Sequence, residues 1–221
     1  MVSRALRVGI TGKMGSGKST LSNLLRARTI PVFESDAVAK EIMRSDSDVR
    51  AKIEALLGAG AYPEGELDRA FVAAQIFSDS KKRLAMEAIV HPVVLTRMQE
   101  FFDAGRPSTL VAVESALVFQ TDLWRQFDYI LLVEVPDEVV IERLATSGRF
   151  TRADVLRRLK EQSASGHGMK EEADFVLSNI GSMEEFEKSA AKVLVLLEIF
   201  SRREFPEKPL HQLELSEDEV E

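Results

Sequence analysis

Residues 12–19 read Gly-Lys-Met-Gly-Ser-Gly-Lys-Ser, preceded by Ala5-Leu6-Arg7-Val8-Gly9-Ile10-Thr11 and followed by Thr20-Leu21-Ser22-Asn23-Leu24-Leu25-Arg26. The run meets the phosphate-binding pattern G-x-x-x-x-G-K-[ST] at every fixed position: Gly12, Gly17, Lys18 and Ser19. The apolar stretch before it suits a short buried strand, and the stretch after it repeats apolar residues at helical spacing. Strand, glycine-rich loop and helix is the context that turns the pattern into a site. Glycines let such a loop turn its backbone N–H groups inward as a nest for phosphate oxygens. The first helical turn adds orphan N–H groups and the positive end of the helix dipole. Lys18 is placed to reach the outer phosphates, and Ser19 to put its hydroxyl on a magnesium ion. The chain is therefore expected to bind a nucleoside triphosphate through Lys13, Met14, Gly15, Ser16, Gly17, Lys18, Ser19 and Thr20.

Composition narrows the partners. A chain of 221 residues is one large domain, or one core with a smaller inserted lobe. A hydrophobic share of 45% with 29% charged residues is that of a soluble globular protein with room for a substantial core. The net charge of −7 argues against sequence-blind nucleic-acid binding, which needs a basic face. The absence of cysteine excludes disulfides and thiolate chemistry. The N-terminus has no apolar signal core, and no later stretch is long enough to span a bilayer. A cytoplasmic protein with no membrane partner is expected, as a monomer or weak homo-oligomer.

Further along, strand and helix patterns alternate, which predicts an α/β fold with a parallel sheet. Thr29-Ile30-Pro31-Val32-Phe33 reads as a second strand, and a helix follows from Asp36. Residues 47–104 are almost wholly helical in pattern, near 47–57, 67–77 and 79–104, with Pro92 expected as a break or kink. This block reads as a helical lobe over about 46–104, set between core segments 1–45 and 105–203. Apolar runs at 109–114 and 129–135 read as strands covered on both faces. A helix is expected from Asp137 to about Thr146, then a lid over about 146–168, and a short strand at Phe175-Val176-Leu177-Ser178. Ser182-Met183-Glu184-Glu185 is a capping box that opens the last helix. Residues 204–221 form an acidic tail expected to be flexible.

Phosphoryl transfer also needs charge neutralisation and often a carboxylate beside the acceptor hydroxyl. Asp36 leads for that carboxylate, because it falls just past a strand's carboxyl end, where ligands of open α/β sheets gather. The competing reading is that Ser35 or Asp36 only caps the next helix. Glu114 ends another strand and either holds magnesium through water or is a solvated strand end. The arginines Arg143, Arg149, Arg152, Arg157 and Arg158 suit a phosphate lid, because a guanidinium fork binds phosphate oxygens in pairs, or else they form a solvated face. Asp68-Arg69 reads as a cap plus a surface charge, or as a hold on an anionic substrate. His91, His167 and His211 show no metal-ligand spacing.

Several runs together resemble the dephospho-coenzyme A kinase family. They are Thr11 to Ser19, Glu34-Ser35-Asp36-Ala37-Val38-Ala39, Gly65-Glu66-Leu67-Asp68-Arg69, Met86-Glu87-Ala88-Ile89-Val90-His91-Pro92, and Ala173-Asp174-Phe175-Val176-Leu177-Ser178-Asn179-Ile180-Gly181. The resemblance spans about residues 7 to 200. It implies a three-layer fold of the P-loop NTPase type, with five parallel strands, an inserted helical substrate lobe and a small lid. It implies transfer of phosphate from ATP, with Mg2+, to the 3′-hydroxyl of dephospho-coenzyme A. By position it makes Asp36 the residue acting on that hydroxyl. Arg69 and His91 fall on the coenzyme side with Asp68, Glu114 matches an acidic strand end, and Asn179 falls near the adenine. Arg143 and Arg149 are the lid candidates. The chain departs from the family pattern at Glu34, at Ala116-Leu117-Val118-Phe119-Gln120, and at Ser147, where a lid arginine is usual. Lys13 and Met14 also replace residues usual in the loop. The nearer rival is another small-molecule kinase of the same fold, for nucleoside monophosphates or sugar acids. The more distant is a GTPase-like switch, whose N-K-x-D run is absent.

Overall fold

The computed structural model describes residues 4–107, 109–116, 118, 122–146, 148, 151–164 and 169–202. Arg149, Ser147, His167, His211 and the acidic tail lie outside them. Two compact units emerge. One holds the described residues up to Val32 and from Gly105 onward, and the other is Phe33–Ala104.

The described residues form a five-stranded sheet of order β2-β3-β1-β4-β5, from β1 (Leu6–Thr11), β2 (Val32–Glu34), β3 (Leu110–Glu114), β4 (Tyr129–Glu134) and β5 (Phe175–Ser178); β1, β3, β4 and β5 lie wholly in the first unit. β1 lies in the middle and runs parallel to both neighbours, with Val8 opposite Ala112 on one side and Tyr129 on the other. β4 and β5 are also parallel, with Glu134 opposite Ser178. The expected parallel α/β sheet is therefore present. Helices α1 (Lys18–Ala27) and α9 (Met183–Ser201) cover one face. Leu21 and Leu25 from α1, and Phe186, Ala190, Leu194 and Leu197 from α9, pack on Val8, Ile10, Leu131, Val133 and Leu177. Val111, Val113, Ile130 and Leu132 alternate with those residues and are buried on the opposite face, as continuous apolar strands require. Helices α6 (Asp137–Thr146), α7 (Arg152–Ala164) and the one-turn α8 (Met169–Glu172) precede β5. Val155 and Leu159 of α7 pack on Val140 and Ile141 of α6.

β2 starts three residues later than the pattern suggested. Thr29 and Ile30 instead stop α1, while the Pro31 carbonyl accepts from the N–H of Ala112 in β3 at 3.0 Å. Thr29 takes φ 59°, and the N–H of Ile30 donates to the carbonyl of Leu25 at 3.0 Å, a left-handed helix stop with no glycine to announce it.

The second unit is helical: α2 (Ser35–Ser45), α3 (Ser47–Leu57), α4 (Arg69–Ser78) and α5 (Ser80–Asp103). It begins earlier than the expected boundary near 46, because Val38, Ala39, Ile42 and Met43 of α2 belong to its core with Ile53, Val72, Met86 and Val90. Pro92 does not end a helix. α5 runs through it for 24 residues, burying Met86, Val90, Met98 and Phe102 on either side. Burial of four large side chains outweighs the cost of about 3 kcal/mol that an interior proline imposes.

Candidate active site

The phosphate loop hangs between the end of β1 and the start of α1. Gly12 has φ 146°, and a Cβ there would sit 2.4 Å from the carbonyl oxygen of Val133, so only glycine lets the chain leave β1 against β4. Gly17 caps α1 with φ 108° and ψ 15°. α1 has no side-chain cap and no acidic residue in its first turn. By contrast α3, α4, α5 and α9 start on Asp46, Asp68, Asp79 and Ser182, each accepting from backbone N–H groups. The helix behind the loop therefore keeps its orphan N–H groups and positive dipole end available to an anion.

Side chains complete this end of the sheet. Lys18 Nζ donates to the carbonyls of Gly12 at 2.8 Å and Lys13 at 3.0 Å, which holds the ammonium across the loop. Glu114 stands at the end of β3 and accepts from Ser19 Oγ at 3.2 Å and from Ser22 Oγ at 2.5 Å. Asn179 is buried and donates Nδ2–H to the carbonyl of Ser16 at 2.7 Å. Lys13 pairs with Asp137 at 2.6 Å, and the Met14 N–H donates to Gln162 Oε1 of α7 at 3.0 Å. Met14 also packs against the apolar cluster that α6 and α7 form around Val140, Ile141, Val155 and Leu159. A cavity of about 590 Å³ opens beside the loop at the carboxyl ends of β4 and β5, lined by Lys13, Val133, Glu134, Asp137, Lys170 and Ile180. The first unit thus brings Lys13–Thr20, Glu114 and Asn179 together.

The remaining predicted residues divide. Arg143 lies half-buried on α6 and forms no hydrogen bond or ion pair among the described residues. Arg157 is held by Asp154 at 3.4 Å, within one turn of α7. In the second unit, Asp36 lies exposed in the first turn of α2 with its carboxylate uncommitted among the described residues, so it is not the helix cap. Ser35 does not cap α2 either. Asp68 does cap: it accepts from the N–H groups of Ala70 at 3.0 Å and Phe71 at 2.9 Å. That bond presents Arg69, exposed, at the first turn of α4. His91 is half-buried on α5. No described helix is long and apolar enough to cross a membrane.

Sequence reasoning missed Ser22, Asp137 and Gln162. A signal existed for Ser22. It lies three residues after Ser19, hence on the same helical face, and it is a lone polar residue beside buried Leu21 and Leu25. Nothing local marked Asp137 or Gln162, whose partners lie 124 and 148 residues away.

Comparison with known proteins gives one answer. The dephospho-CoA kinase family profile matches residues 6–185. The dephospho-CoA kinase of Thermobifida fusca is 34% identical over 189 residues, 85% of this chain and 94% of that protein. That of Deinococcus radiodurans is 36% identical over 195 residues, 87% and 93% of the two chains. A crystal structure from Thermus thermophilus matches with a TM-score of 0.75 at 33% identity, over 88% of this chain and 99% of that one. The dephospho-CoA kinase of Campylobacter jejuni, at 19% identity and a TM-score of 0.59 over 86% and 96% of the chains, shares the fold. With a phosphate loop intact at every fixed position and a match that runs through both units, the chain belongs to the dephospho-CoA kinase family.

Proposed function

We propose that this protein transfers the γ-phosphoryl group of ATP to the 3′-hydroxyl of dephospho-coenzyme A, giving coenzyme A and ADP. The observation that carries the reading is a complete phosphate loop, with an uncapped helix behind it, inside a stretch that the kinase family matches over residues 6–185. The acidic net charge of −7 fits a small-molecule acceptor better than a nucleic acid.

The loop N–H groups and Lys18 hold the β- and γ-phosphates. The acceptor oxygen forms a bond to the γ-phosphorus, the bond from phosphorus to the β,γ-bridging oxygen breaks, and ADP leaves. Asp36 orients the hydroxyl and takes its proton; its exposed, uncommitted carboxylate supports that role. Arg69, presented by the Asp68 cap, and His91 hold the coenzyme, and Arg143 or Arg149 closes over the transferring group.

The residues present fit magnesium. Ser19 Oγ and Glu114 Oε1 lie 3.2 Å apart, and the described residues contain no cluster of three or more His, Asp or Glu able to hold a metal. Magnesium takes one or two protein oxygens and completes its shell with phosphates and water. Ser19 would hold it directly and Glu114 through water, and the ion supplies charge neutralisation at the phosphate oxygens.

Purified protein mixed with ATP, magnesium and dephospho-coenzyme A should yield coenzyme A by mass. In the same assay Asp36→Asn should lower turnover about a hundredfold or more while ATP affinity stays within about twofold. Folded protein that binds ATP but makes no product with this acceptor, in a panel including nucleoside monophosphates, would falsify the assignment.

A further inference from the structure

The amide of Asn179 faces the phosphate loop, and the resulting contacts define how the loop keeps its shape. The N–H of Asn179 donates to the carbonyl of Glu134 at 2.9 Å, extending the β4–β5 ladder past Ser178 and fixing the backbone. The side chain, in a residue 6% exposed, donates Nδ2–H to the carbonyl of Ser16 at 2.7 Å. The carboxamide lies so close to the loop that a Cβ on Gly17 would fall 2.3 Å from Nδ2.

The Ser16 carbonyl and the Gly17 N–H belong to one planar trans peptide, so they point in opposite directions. Holding the carbonyl toward Asn179 aims the Gly17 N–H the other way. That N–H makes no hydrogen bond among the described residues. It is also the first of the orphan N–H groups at the start of α1. A phosphate nest requires N–H groups turned in and carbonyls turned out, and a glycine at φ 108° does not impose that orientation by itself.

We infer that Asn179 is a positioning residue that orients the Ser16–Gly17 peptide of the phosphate loop, and so governs grip on the polyphosphate whatever base it carries. The inference rests on the proposed kinase reading for its turnover arm, but its binding arm does not use the acceptor.

The experiment compares wild type with Asn179→Asp, which keeps the shape and replaces the donor, and Asn179→Ser, which withdraws it. Melting curves first establish the folded fraction. Binding of ATP, GTP and inorganic tripolyphosphate is then measured, followed by kcat and KM for each substrate. Both variants should lose about tenfold in affinity for all three ligands. The ratio of ATP to GTP and the KM for dephospho-coenzyme A should stay unchanged. Asn179→Asp should regain affinity relative to wild type as pH falls toward about 5, when a buried carboxyl takes up a proton and can donate to Ser16 again. A changed ATP-to-GTP ratio with tripolyphosphate unaffected would make Asn179 a reader of the base and overturn the inference. Unaltered affinity in folded variants would overturn it too. If wild type makes no coenzyme A while the variants lose tripolyphosphate binding, the kinase reading fails and this one stands.

Discussion

Glu114 ends β3 with one carboxylate oxygen on Ser19 and the other on Ser22, the shorter of the two bonds at 2.5 Å. Ser22 is fully buried, so its hydroxyl acts on the carboxylate and on nothing in solvent. Ser22→Ala should lower stability by about 1.5 kcal/mol, the worth of a hydrogen bond to a charged group. It should also raise the magnesium concentration for half-maximal activity about tenfold, as removal of an outer partner commonly does. A loss of rate that magnesium does not restore would remove Ser22 from the metal's support. Single residues are also where the sequence was least legible. Asp36 and Asp68 both stand near helix starts, and both read as possible caps. The structure splits them because α2 begins at Ser35, leaving Asp36 inside the first turn, whereas α4 begins at Arg69 and leaves Asp68 at the cap with ψ 95°. Two residues of helix boundary decide between a cap and an uncommitted carboxylate, and local pattern does not fix a boundary that finely. The loop residues were legible because each fixed position answers a requirement of its own, the glycines a backbone one, as Gly12 does against Val133, and Lys18 and Ser19 a side-chain one toward phosphate and magnesium.

Among the elements, β4 carries a titration with a readable sign. Tyr129 opens it, stacked on Phe200 with ring centroids 5.3 Å apart. Burial pushes its phenol from 10.0 up to about 12, with the Asp174 and Asp128 carboxylates adding to the shift. The folded state holds this proton more tightly than the unfolded chain. Its stabilising contribution is therefore complete below pH 10 and is lost as pH rises from 10 through about 12. Tyr129→Phe has no such proton to lose. Its melting temperature relative to wild type should climb once pH passes 10, and a constant difference between pH 8 and 11 would refute the assignment. Helices with a side-chain signal at the start were easy to read, as the Ser182 capping box shows. The end of α1 and the course of α5 were not. Thr29 adopts a glycine-like conformation, and Pro92 is carried through by packing on both sides, so tertiary contacts override the local signal.

At the scale of the molecule, the alternation of strand and helix patterns made the parallel α/β sheet legible, but not which elements α2 packs with. The apolar face of α2 fits a sheet or a helical bundle equally well, and only packing with Ile53 and Met86 assigns it. In the first unit Phe186, 2% exposed, ties α9 to the sheet. Phe186→Ala should cost about 3–4 kcal/mol, read as a lower denaturant midpoint with an unchanged slope. A cost under about 1 kcal/mol would mean that α9 does not hold the sheet. The order β2-β3-β1-β4-β5 has one more consequence. The phosphate loop is suspended from the central strand, which is hydrogen-bonded on both sides and whose Val8 and Ile10 are fully excluded from solvent. Such strands do not fray; they exchange their amide protons only when the surrounding cooperative unit opens as a whole. The root of the loop therefore shares the lifetime of the sheet, and warming erodes nucleotide grip at the temperature where that unit melts, not before it.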